Sequence, residues 1–204
     1  MGDPSKFHNL LLYHCFNIML FCLICLEVFI FCYTYQAKDK EQRINKKDRG
    51  TKWLLYANFI LCVGISFCFA SQKMAMGIRD IKFPDFFSYI GVLLIFIGIV
   101  VRLTAVLTLK RAFTLNVQTA NTQHLIKTGL YHIVRHPAYA GSIMSLLGVP
   151  IALKNVIATL IVLLSCIACY WIRIHVEEIA LKEYFGNEFK EYALSTYKVI
   201  PYIW

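Results

Sequence analysis

The chain has 204 residues, of which 58% are hydrophobic and 16% charged, against about 25% charged in a soluble domain, and its mean hydropathy is +0.58. These values exclude an ordinary soluble or disordered protein and point to a single all-α integral membrane domain spanning residues 1–204. The formal net charge of +9 does not indicate nucleic acid, because seven Lys and Arg residues crowd into one loop, 36–52, between apolar runs, where the positive-inside rule accounts for them.

Five apolar runs follow in order, and each reads as a transmembrane helix. The first, 9–35, begins after one basic residue, Lys6, and lacks a small-residue cleavage pattern; it reads as a helix rather than a removable signal peptide. The second covers 53–76 and the third 86–109. These three form the N-terminal part, 1–109. The fourth, 138–153, lies between Pro137 and Lys154; at 1.5 Å per residue it reaches about 24 Å, short of a ~30 Å hydrocarbon core. The fifth, 155–176, is long enough to span, so the last two runs should form a helical hairpin turning at Lys154-Asn155.

With five spans the termini lie on opposite sides. Fifteen of the 21 Lys and Arg residues fall in 36–52, 110–135 and the tail from Arg173, against five on the other side. The expected orientation is therefore an outer N-terminus and a cytoplasmic C-terminus and active site. All eight cysteines lie inside apolar runs. Cys22-x-x-Cys25 and Cys166-x-x-Cys169 have zinc-like spacing but no ligand-rich loop around them, so small, reduced core residues are expected and no metal.

Chemistry concentrates in two stretches. "TGLYHIVRHPAYAG", 128–141, packs Tyr131, His132, Arg135, His136 and Tyr139 around Pro137 at the mouth of the fourth run. Singly, these could be a turn histidine before a proline, interfacial tyrosines and a snorkelling arginine. The second stretch, "WIRIHVEEIALKEYFGNEFKEY", 171–192, carries Arg173 and Glu177 four residues apart, hence on one helix face, with Glu178 turned about 100° away. The hairpin should bring Arg173 and Glu177 back toward Arg135-His136-Pro137. Arg, Glu, His and Tyr would then share a pocket at the cytosolic membrane surface. Glu27 and Arg102 are costly within spans and are expected to face the bundle, as a pair or, for Arg102, along the site. His14 and His175 are read as structural.

"GLYHIVRHPAY", then "RIHVEEIALKEYFGNEFKEY" and "VIPYIW", resemble the isoprenylcysteine carboxyl methyltransferase family, with its RHPxY motif, paired EE and FG-x-x-(Y/F)-x-x-Y. "LTLKRAFTLNVQ", "HLIKTGLY" and "DRGTKWLL" (48–55) are similar as well, the last to short, five-span, prokaryote-type members, so the resemblance covers 48–204. The RHP and EE plan also looks somewhat like that of phospholipid methyltransferases. The resemblance implies a membrane-embedded methyltransferase using S-adenosyl-L-methionine, with a catalytic region at 110–204 whose last two helices and cytosolic C-terminal region bind that cofactor. By position, Gln118, Gln123, His124, Leu125, Ile126, Tyr131, His136, Pro137, Ala138, Tyr139 and Glu177 match the family's cofactor contacts. Arg173 matches the arginine that binds the substrate carboxylate and acts in catalysis.

The implied reaction is carboxyl methylation of a prenylated cysteine, or of a similar lipid-borne carboxylate entering from the bilayer, to give a methyl ester. A carboxylate is already ionised near neutrality, so alignment and exclusion of water matter more than a base. The alternative acceptor is another membrane lipid such as a phospholipid amine, which would need a base or a deprotonated amine, so that Glu178 or His175 would matter more. A non-enzymatic membrane scaffold is the third reading.

Overall fold

The computed structural model describes residue 7 and residues 9–38, 51–71, 81–109 and 125–202. The described residues form α1 (Leu10–Lys38), α2 (Thr51–Ala70), α3 (Phe87–Leu109), a 3-10 turn (Gly129–His132), α4 (Pro137–Ala152), α5 (Val156–Phe185) and α6 (Asn187–Ser195). Four of these, α1, α2, α3 and α5, are long and apolar enough to cross a membrane, and α4 is the shorter apolar helix. The architecture is thus the helical membrane bundle expected from the apolar runs. The fifth run differs in length: α5 continues nine residues past 176, to Phe185. The continuous i, i+4 pattern of Arg173, Glu177 and Leu181 carries the helix beyond the apolar stretch, because helix formation needs periodicity and not hydrophobicity alone.

Each span buries one stripe and gives the rest to lipid. On α1, Phe16, Leu23 and Ile30 recur at seven-residue spacing and are buried, whereas Ile18, Phe21 and Val28 are exposed. On α5 the buried row is Ala158, Val162, Cys166, Tyr170 and Ile174. Four-residue steps place these on one face.

The closest helix pair is α3 with α4. Gly91 and Gly98 of α3 meet Gly148 and Gly141 of the antiparallel α4. A Cβ on Gly141 would sit 2.6 Å from the Gly98 carbonyl oxygen and 2.7 Å from the Arg102 nitrogen. Small residues are what allow such backbone approach where lipid offers no hydrophobic drive. Ser88 adds a 2.9 Å bond from its hydroxyl to the Ala152 carbonyl. Between α2 and α5 the seam is polar: the Ser165 hydroxyl donates to Asn58 Oδ1 at 2.6 Å, and Cys62 and Cys166 lie against the same amide. All eight cysteines are free thiols.

The hairpin turns at the expected place. Lys154 takes φ 60°, and Asn155 caps α5 by accepting from the Ala158 N–H at 2.7 Å. The segment before α3 docks on this turn through the Phe83 N–H to Lys154 carbonyl bond (2.9 Å) and the Lys154–Asp85 ion pair (2.6 Å). One end of the bundle is closed this way. The other end gathers the start of α2, the start of α4, the extension of α5 and the C-terminal tail.

A buried ion pair ties α1 to α3. Arg102 Nε and Nη2 each lie 2.8 Å from an oxygen of Glu27. Nη1 donates to the Ala138 carbonyl at 3.2 Å and to the Ser142 hydroxyl. Of the two roles expected for Arg102, pairing with Glu27 is the one realised. His14 packs edge-on against Tyr13, and His175 stacks on Trp171 with an interplanar angle of 6°.

Candidate active site

Pro137 explains the local geometry at the site. It has no N–H and favours the first helical turn, so α4 starts there, with His136 in an irregular conformation (φ −124°, ψ 57°) before it. The backbone donors just upstream then need partners outside the helix. The C-terminal tail supplies them: the Arg135 and His136 N–H groups donate to the Tyr197 and Lys198 carbonyls at 2.8 and 2.9 Å, and Tyr197 N–H donates to Ile133 at 3.0 Å. The Arg135 side chain extends this clamp. It donates to the Ala193 carbonyl at 2.9 Å, to the Thr196 carbonyl and hydroxyl, and to Glu178 at 3.0 Å.

The two adjacent glutamates of α5 go to different places. Glu178 faces the clamp, with Arg135, His136 Nε2 at 3.4 Å and Lys198 at 3.6 Å around it. Glu177 faces a cleft, accepting from the Tyr139 hydroxyl at 2.6 Å, and its side chain is 28% exposed. The Tyr139 oxygen in turn accepts from Arg173 Nε at 2.9 Å, and Arg173 Nη1 donates to the Thr51 hydroxyl at 2.6 Å. A hydrogen-bonded chain therefore runs from α2 through Arg173 and Tyr139 to Glu177. Arg173 is 1% exposed, the largest fully buried side chain among the described residues.

The cleft beside Glu177 is lined by Leu125, Ile126, Tyr131, Arg135 and His136, with Leu181 and Phe185 of α5 and Phe189 and Tyr192 of α6. Gly186 joins those helices at φ 56°, ψ −119°, a conformation that strongly favours glycine. This corner turns the two phenylalanines onto one cavity. Tyr192 donates to the Tyr131 carbonyl at 2.6 Å. Burial pushes its phenol up to about 12 and raises that of Tyr131 as well, so both remain neutral hydroxyls. His136 is 4% exposed, stacks on Tyr139 with ring centroids 5.6 Å apart, and leaves its buried Nε2 without a hydrogen bond of good geometry.

Of the residues singled out in the sequence, Leu125, Ile126, Tyr131, His136 and Glu177 line this cleft. Pro137 and Ala138 are buried at the start of α4, the latter offering its carbonyl to Arg102. Tyr139 and Arg173 lie behind Glu177, one and two hydrogen bonds away from it. Gln118, Gln123 and His124 lie outside the described residues. The apolar wall of Leu181, Phe185, Phe189 and Tyr192 was absent from the sequence-level site, although Phe185, Phe189 and Tyr192 are the aromatic positions of the F-G-x-x-F-x-x-Y pattern.

The profile of the phospholipid methyltransferase family matches residues 86–188. A probable protein-S-isoprenylcysteine O-methyltransferase of Oryza sativa subsp. indica is 34% identical over 131 residues, covering 63% of this chain and 69% of the relative. Protein-S-isoprenylcysteine O-methyltransferase B of Arabidopsis thaliana is 31% identical over 118 residues, covering 57% and 60%. Among solved structures, a eukaryotic intramembrane Ras methyltransferase, isoprenylcysteine carboxyl methyltransferase, superposes with a TM-score of 0.60 at 26% identity, over 73% of this chain and 53% of that one. This chain thus spans about half the length of the solved relative. The RHP clamp, the split EE pair and the cleft between them lie in or just beyond the stretch that the family profile matches, and the chain belongs to the isoprenylcysteine carboxyl methyltransferase family of integral-membrane methyltransferases.

Proposed function

We propose that this protein transfers a methyl group from S-adenosyl-L-methionine to the C-terminal carboxylate of a prenylated cysteine, forming a methyl ester at the cytoplasmic face of a membrane. The observation that carries the reading is the chain Arg173–Tyr139–Glu177, which joins a buried guanidinium near the lipid-level core to a carboxylate on the cleft.

The cleft suits the cofactor. Glu177 would accept from its ammonium or ribose, the buried His136 ring nitrogen would take up a polar group, and Phe185 and Phe189 supply apolar walls for adenine. When bound, S-adenosyl-L-methionine supplies an activated methyl group on a sulfonium. Arg173 would orient the acceptor carboxylate through its planar fork. Tyr139 holds the two ends at fixed separation by donating to Glu177 and accepting from Arg173. The enclosing helices exclude water, which strengthens attraction between opposite charges at the site. The lipid tail would lie among the bundle helices and enter from the bilayer.

The phospholipid methyltransferase profile keeps a lipid amine in view as the second acceptor. An amine must arrive deprotonated or meet a base, and neither side chain expected to act as one is placed for it. Glu178 is engaged by Arg135, His136 and Lys198, and His175 is exposed on the outer face of α5, stacked on Trp171. This favours the carboxylate.

The charge distribution supports an outer N-terminus and a cytoplasmic site. The decisive experiment is methyl transfer from labelled S-adenosyl-L-methionine to N-acetyl-S-farnesylcysteine by purified protein in lipid, read as base-labile methanol. Methanol release that disappears in Arg173→Ala is the expected result. Cofactor binding without release would move the acceptor to another lipid.

A further inference from the structure

The helix α2 lies outside the motifs RHPxY and EE, yet its first residue reaches Arg173, at the buried end of the hydrogen-bonded chain that leads to Glu177. Thr51 is 122 residues before Arg173 in sequence, and its hydroxyl lies 2.6 Å from Arg173 Nη1. Both side chains are buried, Thr51 at 9% exposure and Arg173 at 1%. The guanidinium is thereby bonded at two different nitrogens, Nε to Tyr139 on α4 and Nη1 to Thr51 on α2. Two bonds to separate helices bear directly on the plane of the guanidinium. Both of these acceptors are hydroxyls.

We infer that Thr51 is a positioning residue for Arg173, setting the plane in which that guanidinium meets the acceptor's carboxylate. The inference rests on the reading of Arg173 as the carboxylate-binding residue. It makes α2 part of the acceptor end of the site. It also gives a function to the stretch "DRGTKWLL", in which Thr51 stands.

The test compares wild type, Thr51→Val and Thr51→Ser in lipid. Valine keeps the shape and removes the acceptor oxygen; serine restores it. The acceptor KM should rise about tenfold in Thr51→Val, the loss of one hydrogen bond to a charged group. The cofactor Kd, by calorimetry, should stay within about twofold of wild type, because this bond lies on the far side of Tyr139 from Glu177. Thr51→Ser should regain the wild-type KM. A purely helix-capping threonine would lower the melting temperature and leave the acceptor KM unchanged, and that result overturns the inference. A second readout is independent of the acceptor: the guanidinium NMR signal of Arg173 in 15N-arginine-labelled protein, assigned with Arg173→Lys. A shift in Thr51→Val and recovery in Thr51→Ser support the inference, and an unmoved signal overturns it. Absence of methyl transfer to N-acetyl-S-farnesylcysteine in the wild type, by contrast, removes the proposed acceptor, and the NMR comparison then decides the role of Thr51 by itself.

Discussion

Glu177 and Glu178 are neighbours in sequence and face opposite tasks. Glu178 looks toward the tail and is enclosed by Arg135, His136 and Lys198. Glu177 looks into the cleft, is more exposed, and accepts from the Tyr139 hydroxyl, with His136 Nδ1 3.9 Å away. The 100° step of a helix is enough to send one carboxylate into a closed charge network and leave the other with lone pairs to offer. The side that is electrostatically satisfied builds the site, and the side that is partly open can bind. A paired-acid motif therefore need not be a pair of catalytic acids.

Substitutions can test this division. The largest effect should come from Glu178→Ala, because removing the carboxylate leaves buried Arg135 short of a charge partner. A loss of about 3 kcal/mol in stability is expected, with faster proteolysis of the tail beyond α6 as a direct sign of undocking. Glu177→Ala should leave stability within about 1 kcal/mol and weaken cofactor binding by roughly 10- to 100-fold, from the loss of hydrogen bonding to a charged group; calorimetry reads it. Unchanged affinity would remove Glu177 from the binding role. Arg173→Lys should lower turnover about tenfold with cofactor affinity preserved, since a point charge cannot span Tyr139 and Thr51 as the fork does. The smallest effect should be that of Lys198→Ala. Lys198 is 38% exposed and 3.6 Å from Glu178, so thermal unfolding should register under about 1 kcal/mol. A larger loss there would mean that the tail depends on this ion pair more than on the backbone bonds to Arg135 and His136.

Arg135 shows how the meaning of a residue changes between sequence and structure. Its place in the RHP motif invites a role at the cofactor. It does border the cleft, but its Nε goes to Glu178 on α5 and its Nη1 to Ala193 and Thr196, where α6 runs into the tail. The tail in turn satisfies the backbone groups exposed by Pro137. Likewise Glu27 and Arg102 were legible as bundle-facing because an unpaired charge is too costly in a membrane, with pairing as one of two expectations, and packing of α1 against α3 decided for the pair.

The sequence by itself determined the class of the molecule. Long apolar runs require membrane helices, the short fourth run and Asn155 require a hairpin, and Arg173 with Glu177 must share a face because four residues make slightly more than one turn. Periodicity and hydrophobicity are local properties, and they survive reading in one dimension. Only the tertiary structure decided that Tyr139 stands between Arg173 and Glu177, that Phe185, Phe189 and Tyr192 wall the cleft, and that Thr51 reaches across from α2. These depend on how α2 and α4 pack against α5 and on the turn at Gly186. Contacts between residues more than a hundred positions apart are set by how closely helices pack, and spacing along the chain does not encode that distance.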